Sequence, residues 1–315
     1  MSNLTATQQI DTVAGESGAP VGEYDSGSHE VRTRRQQRRA FWLLSTPGLI
    51  GLAISFVAPV LWMVRMAFNR GSNDGFVEQT FTLDMFIEPL SDPYYWKVIG
   101  DTFVLGITVA IICTILSYPI ALFLARTTNR YKSLLVVLAI APLLTSIVVR
   151  SYGWAVLLGG GGLINSTLQD LGLITAPLKL SNNWTGVIIG LVEILMPFAI
   201  LTMLSGFGRL NPQLEEAASS LGASRLKVFL RVILPLSLPG VLAAVMLAFV
   251  QAIGSFVTPR ILGGGNVQVL ATEIYDQATG LINWPFAAAL SVILLVLFGL
   301  VIAIYQLLLK RLGVK

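Results

Sequence analysis

The sequence has one cysteine, Cys113, and one histidine, His29, in 315 residues. One cysteine excludes an intrachain disulfide framework and a zinc site built from several thiolates. One histidine, set in a polar N-terminal stretch, leaves metal ligation and imidazole base chemistry with almost no groups to use. Charge is scarce too. Only 12% of residues are Asp, Glu, Lys or Arg, where a soluble domain carries about 25%. Lys never follows Gly, so the phosphate-cradling G-x-x-x-x-G-K-[ST] loop is missing. The glycines at 159–162 and 263–265 do not form G-x-G-x-x-G and read as flexible turns. H-E-x-x-H and a serine nucleophile elbow are also lacking. Together these absences argue against a cytosolic enzyme, and no cofactor or metal is expected in this chain.

Apolar residues are abundant instead: 54% of the chain is hydrophobic, and the mean hydropathy is +0.74. The net charge of +4 would suit an acidic partner. The basic residues flank apolar runs, however, which is the pattern of a membrane protein and not of a nucleic-acid binder. A helix needs roughly 20 apolar residues to cross a bilayer. Six runs qualify: 41–68, 103–124, 134–158, 184–207, 236–257 and 284–309. They are continuous, whereas barrel strands alternate in segments of about ten. The expectation is an all-α polytopic membrane protein with six transmembrane helices, its transmembrane domain covering 41–315.

Lys and Arg placement sets the orientation. With the N-terminus in the cytoplasm, fifteen Lys and Arg fall on the inner side and four on the outer, leaving Arg65 and Arg150 inside spans. Both termini are then cytoplasmic. Residues 1–40 are polar and charge-rich, basic toward their end and without apolar period, and are expected to be a disordered tail. The tail is too long and too acidic for a signal peptide, and the run behind it is long enough to span. Its Arg cluster either fixes orientation or also touches anionic membrane lipid. On the outer side, Phe86, Leu90, Tyr94, Tyr95 and Trp96 read as a short interfacial helix of anchoring aromatics.

The inner loop 208–235 is the longest and the most informative. Asn211-Pro212 is a helix start, an N-cap followed by preset φ at N1. Glu215 and Glu216 lie early, where the helix dipole favours acids. Leu214, Ala217, Ala218 and Leu221 form one narrow apolar stripe. Gly222 then ends the helix in the left-handed position, and Ser224 is placed to cap a second helix. The shape alone fits either a partner-docking element or an ordinary amphipathic surface helix.

Glu216-Ala217-Ala218, three residues, Gly222, nine residues, then Val232-Ile233-Leu234-Pro235 resembles the signature loop of the permease subunits of ATP-binding-cassette importers, E-A-A-x3-G-x9-I-x-L-P. The only departure is Val232 for Ile. The stretch Pro142, Ser146–Arg150, Tyr152, Trp154, together with Met196-Pro197-Phe198 and Trp284-Pro285-Phe286, is similar to the spermidine/putrescine branch of that family. The resemblance implies that Leu214, Glu215, Glu216, Ala217, Ala218, Leu221 and Gly222 form a cytoplasmic coupling helix of a type I importer. It implies a bacterial inner-membrane complex with a second permease subunit that is a different chain, two ATPase subunits and a periplasmic or extracellular substrate-binding protein. ATP and Mg would sit in the ATPase partner. Polyamines are the implied substrate, with an amino-acid derivative or opine as the alternative. A rival class, an ion-coupled secondary transporter, usually shows more spans and an internal repeat.

Acids inside a membrane mark pathways or buried pairs. Glu193, in the fourth run, either faces the path or pairs with Arg150. Asp101 reads as a path residue or a helix-start charge. Tyr152 and Trp154 offer aromatic faces to an ammonium group, or simply pack. Gln251 and Ser255 share a helix face and point to the path or to a neighbouring subunit. Glu273 and Asp276 lie in the last outer loop, as an acidic vestibule or as solvated residues.

Overall fold

The computed structural model describes residues 26–71, 77–127 and 130–311. These segments are mostly helical, with one short ribbon and connecting loops, of which 171–183 is the longest. In order the elements are α1 (Ser26–Met66), the paired strands β1 (Arg70–Gly71) and β2 (Val77–Glu78), α2 (Asp84–Ser91), α3 (Pro93–Arg126), α4 (Lys132–Ile140) and α5 (Ile147–Leu158). Then follow α6 (Leu163–Asp170), α7 (Trp184–Gly206), α8 (Pro212–Ser220), α9 (Arg225–Val228), α10 (Leu234–Ile253), α11 (Val257–Gly263), α12 (Leu270–Tyr275) and α13 (Trp284–Arg311). Six segments are long and apolar enough to cross a membrane: Ser45–Met66, Pro93–Arg126, Ile147–Asp170, Trp184–Gly206, Arg225–Ile253 and Trp284–Arg311.

Several boundaries differ from the sequence reading, each for a physical reason. Residues 1–25 of the expected disordered tail lie outside the described residues. The remainder, 26–40, is helical and runs unbroken into the first span. It holds no proline and one glycine, and its Arg and Gln are good helix formers. The third expected span, 134–158, is two helices. Pro142 has no N–H to donate, the backbone tightens into a 3-10 turn at Ala141–Leu144, and Thr145 turns extended. The long apolar segment on this part of the chain is Ile147–Asp170, which joins α5 and α6 across the glycines at 159–162. The fifth expected span, 236–257, leaves the helix after Ile253. Gly254 and Ser255 form a turn, and a new helix, α11, begins at Val257. Tyr94, Tyr95 and Trp96 do not form a separate interfacial helix with Phe86 and Leu90. They occupy the first turn of α3, which Asp92 caps by accepting from the Tyr94 N–H at 2.8 Å.

The main core lies where α3, α7 and α10 meet. Leu105, Val109 and Cys113 of α3 face Val187, Leu191 and Leu195 of α7 and the alanine row Ala244, Ala248 and Ala252 of α10, all buried. Apolar lipid gives these helices no hydrophobic drive to associate, so they rely on close backbone approach through small residues. Gly206 and Gly240 show how close: a Cβ on Gly206 would stand 2.4 Å from the Gly240 Cα. A second core joins the start of α3 to α2, α12 and α13 through Met85, Tyr95, Val98, Leu270, Phe286 and Leu290. The Ser151 and Thr258 hydroxyls meet at 3.1 Å and tie α5 to α11.

A Gly206→Val substitution should therefore separate α7 from α10 and lower stability by about 1–3 kcal/mol, the usual cost of overpacking. Thermal unfolding of the purified protein in detergent checks this. A matched Gly208→Val change, at a glycine with no atom near its Cβ position, should be far milder.

Candidate functional site

Two places carry chemistry-bearing residues: the α8 segment and a polar cluster between α5 and α7. The α8 helix begins as its sequence dictates. The Asn211 side chain accepts from the Gln213 N–H at 3.0 Å, and Pro212 occupies the first helical position. At the other end Gly222 takes φ +83°. Its N–H donates to the Ser219 carbonyl at 3.0 Å, and the Ala223 N–H donates to the Ala218 carbonyl at 3.1 Å. That pair of bonds is the Schellman closure, which satisfies the last carbonyls and turns the chain sharply. Ser224 follows in extended conformation at the N-cap of α9, but its side chain makes no capping bond, contrary to the role expected of it. α9 passes through a π-helical turn, Phe229–Ile233, into α10. Pro235 has no N–H for the Arg231 carbonyl, and the ladder widens there.

The expected docking residues divide by exposure. Leu214, Glu216, Ala217, Leu221 and Gly222 are exposed, Leu221 by 89%. Ala218 is half-buried. Glu215 turns toward its own chain, where the Arg126 guanidinium, at the end of α3, donates to its carboxylate. α8 thus presents Leu214, Ala217 and Leu221 to the outside, with Glu216 beside them.

Glu193 sits in α7, four residues before Pro197. Since Pro197 has no N–H, the Glu193 carbonyl loses its helical donor. Arg150 of α5 supplies one: its Nη2 donates to that carbonyl at 3.1 Å and to Glu193 Oε1 at 2.6 Å, while its Nε donates to Oε2 at 3.2 Å. A further donor, the Trp154 indole N–H, reaches Oε2 at 3.2 Å. Arg150 also donates to the Pro142 carbonyl at 3.3 Å, closing the break that separates α4 from α5. Of the two readings open for Glu193, the geometry is that of the ion pair. Glu193 also lines an apolar cavity of about 580 Å³, together with Ile112, Leu116, Ile188 and Met196.

Gln251 and Ser255 do not share a helix face, because α10 ends at Ile253 and Ser255 lies in the turn beyond it, but both line a different cavity, of about 470 Å³, with Ile147, Phe198 and Phe256. Tyr152 is exposed on α5 and does not join the Glu193 cluster. Asp101 is half-buried in α3, two turns beyond the helix start at Pro93, so it is no helix-start charge. It has no ion pair or hydrogen bond among the described side chains. Glu273 is not a solvated loop residue. It is buried in α12 and accepts from the Tyr94 hydroxyl and the Gln277 amide, both at 3.0 Å. Asp276 pairs with Arg260 at 2.8 Å. Sequence reasoning gave Arg126 no role beyond orientation; only its distant partner reveals one. The carbonyl freed by Pro197 was readable, since Glu193 and Pro197 are four apart.

This architecture belongs to a known class. The pattern that defines the family of binding-protein-dependent transport system inner membrane components matches residues 117–314, and the chain belongs to that family. It is a multi-pass permease subunit of the ABC importer type. The chain is 34% identical to the spermidine/putrescine transport system permease protein PotB of Escherichia coli (strain K12), over 82% of its own length and 94% of that protein. With PotB of Haemophilus influenzae the identity is 36%, over 82% of this chain and 86% of the other. The same fold is seen in the crystal structure of a bacterial ABC transporter involved in the import of the acidic polysaccharide alginate, with TM-score 0.72, 18% identity, and coverage of 89% of this chain and 99% of that one.

Replacing Arg150 with Met should leave the Glu193 carbonyl without a donor and its carboxylate without a counter-charge, with only the Trp154 indole still donating to it. The expected loss is roughly 3 kcal/mol, the low end for a broken buried pair because the Glu193 side chain stays one-third exposed. The Arg150→Met/Glu193→Met double variant should recover part of that loss. Thermal unfolding in detergent of both variants and the parent makes the comparison.

Proposed function

We propose that this permease subunit imports polyamines such as spermidine and putrescine, by alternating access powered by a separate ATPase. The reading assigns two permease chains, of which this is one and the other a different chain, two ATPase subunits that hold ATP and Mg, and an external binding protein. Both termini and α8 lie in the cytoplasm. The relatives named for spermidine/putrescine transport support the substrate, and the fifteen-to-four bias of Lys and Arg supports the orientation.

The single observation that carries the mechanism is the form of α8: a short helix fixed at both ends by its own caps, with Leu214, Ala217, Leu221 and Glu216 exposed. The small side chain of Ala217 lets a partner's groove come close, and Leu221 offers an apolar knob. When ATP closes the ATPase pair, the docked helix is displaced. The displacement reaches α7 through Gly206–Arg209 and α10 through the Gly222 turn, and these tightly packed spans tilt together. The path then opens outward to receive substrate, and hydrolysis resets it.

For a cationic substrate the cavity beside Gln251 and Ser255 is the better-suited surface. Glu193 is neutralised by Arg150, so it offers no free charge. By contrast, α10 ends at Ile253 beside this cavity, and the carbonyl end of a helix dipole favours a cation. The Gln251 amide and Ser255 hydroxyl provide acceptors for an ammonium group, while the phenyl groups of Phe198 and Phe256 suit the methylene chain.

The assembled complex in proteoliposomes should take up labelled spermidine with ATP and binding protein present, and none with a proton gradient alone. Gradient-driven uptake without ATP would support the secondary-carrier class instead. In the same assay Gly222→Val should cut uptake by tenfold or so, since a β-branched residue at φ +83° is strained and the turn cannot hold. Uptake at the parent rate would count against the α8 assignment.

A further inference from the structure

We infer that α3 is a third member of the moving unit, and that Arg126 and Glu215 are the positioning residues that fasten the docking helix to it. This rests on the docking role proposed for α8. The chain around α8 is held by three weak points: a 3-10 turn at Phe207–Arg209 before it, the glycine turn after it, and the π-helical turn at Phe229–Ile233 beyond. Each lacks the regular α-helical ladder and bends more readily than a continuous helix. A push on α8 through these flanks alone would be absorbed in part by bending.

α3 contacts this region at separate places. At its last residue, the Arg126 guanidinium donates to Glu215 in the first turn of α8. Both charges complement the dipoles of their helices, with the cation at the C-terminus of α3 and the acid at the N-terminus of α8. Two turns earlier, the Tyr118 hydroxyl meets the Ser237 hydroxyl of α10 at 3.0 Å. The Tyr118 ring stands edge-on to Phe207 at 5.6 Å and to Phe229 at 6.0 Å. Tyr118 thus touches both of the bent segments that flank α8, and Arg126 touches α8 itself.

The exposure of the Arg126–Glu215 pair decides what it is for. Its side chains are 42% and 25% exposed, and an exposed pair contributes little to folding stability. Its geometric effect is larger. It fixes the rotation of α8 so that Glu215 points to α3, which leaves Glu216, a hundred degrees round the helix, for the outside. The two neighbouring acids therefore have different tasks: one orients the docking helix, and the other stays available to the partner. With the strut in place, displacement of α8 is passed straight to α3, which already packs on α7 and α10 through Leu105, Val109 and Ala252.

The test uses the whole complex, with uptake per ATP hydrolysed as the readout. Arg126→Glu should reduce that ratio by about tenfold, within the range of ordinary coupling free energies, while the ATPase still co-purifies and hydrolyses ATP. The charge swap Arg126→Glu/Glu215→Arg should restore the ratio to within about twofold of the parent, and Arg126→Gln should fall between. An unchanged ratio in Arg126→Glu would overturn the inference. So would a swap that assembles but does not recover, or an Arg126→Glu variant that loses the ATPase, since the pair would then belong to the docking face. Leu221→Asp separates this from the underlying reading. If that variant retains the ATPase at full strength, α8 is not the docking helix, whatever Arg126 does.

Discussion

A proline inside a spanning helix leaves a carbonyl with no donor, and lipid provides none. Every backbone polar group in the membrane must find its partner within the protein. Pro197 creates that demand in α7, at the Glu193 carbonyl, and Arg150 meets it while pairing with the Glu193 carboxylate. Arg150 reaches on to the Pro142 carbonyl, so one guanidinium satisfies two breaks and joins α5 to α7. An arginine and a glutamate inside an apolar bundle are costly singly; together, with the indole of Trp154, they form a structural joint.

The same economy shapes the part outside the spans. α8 is nine residues long and too short to be stable alone. It depends on its caps and on contact with α3. Asn211 and Pro212 start it, the Gly222 turn closes it, and Glu215 ties it to Arg126. What remains exposed is a small surface of Leu214, Glu216, Ala217 and Leu221. A force applied there has a short route to the α3–α7–α10 core, where Gly206 and Gly240 allow the helices to pack nearly backbone to backbone. Tight packing of this kind moves as a body and does not deform gradually.

Much of this was legible in the sequence because the signals were local. The six-span, all-α class follows from apolar runs and basic flanks. The start and stop of α8 follow from Asn211-Pro212 and Gly222, whose chemistry acts within a few residues. The family resemblance rested on that same segment. The misread features depend on partners far along the chain. Apolar content carried the third run across Pro142, although the missing N–H there breaks the helix. The fifth run was extended past Ile253 because Phe256 and Val257 are apolar, and hydropathy does not sense a turn at Gly254-Ser255. Glu273 looked like a loop acid, since nothing nearby in sequence announces that Tyr94 lies over it. Arg126 looked like one more topogenic charge, and its bond to Glu215 spans 89 positions.

The most direct test of the central claim uses the scarcity of cysteine. Cys113 is buried and is the only cysteine in the chain, so a Leu221→Cys variant carries a single accessible thiol. A membrane-impermeant thiol reagent should label it in inside-out vesicles and not in right-side-out ones, and adding the ATPase subunits should protect it. Labelling from the outer face, or equal labelling with and without the ATPase, would contradict the account.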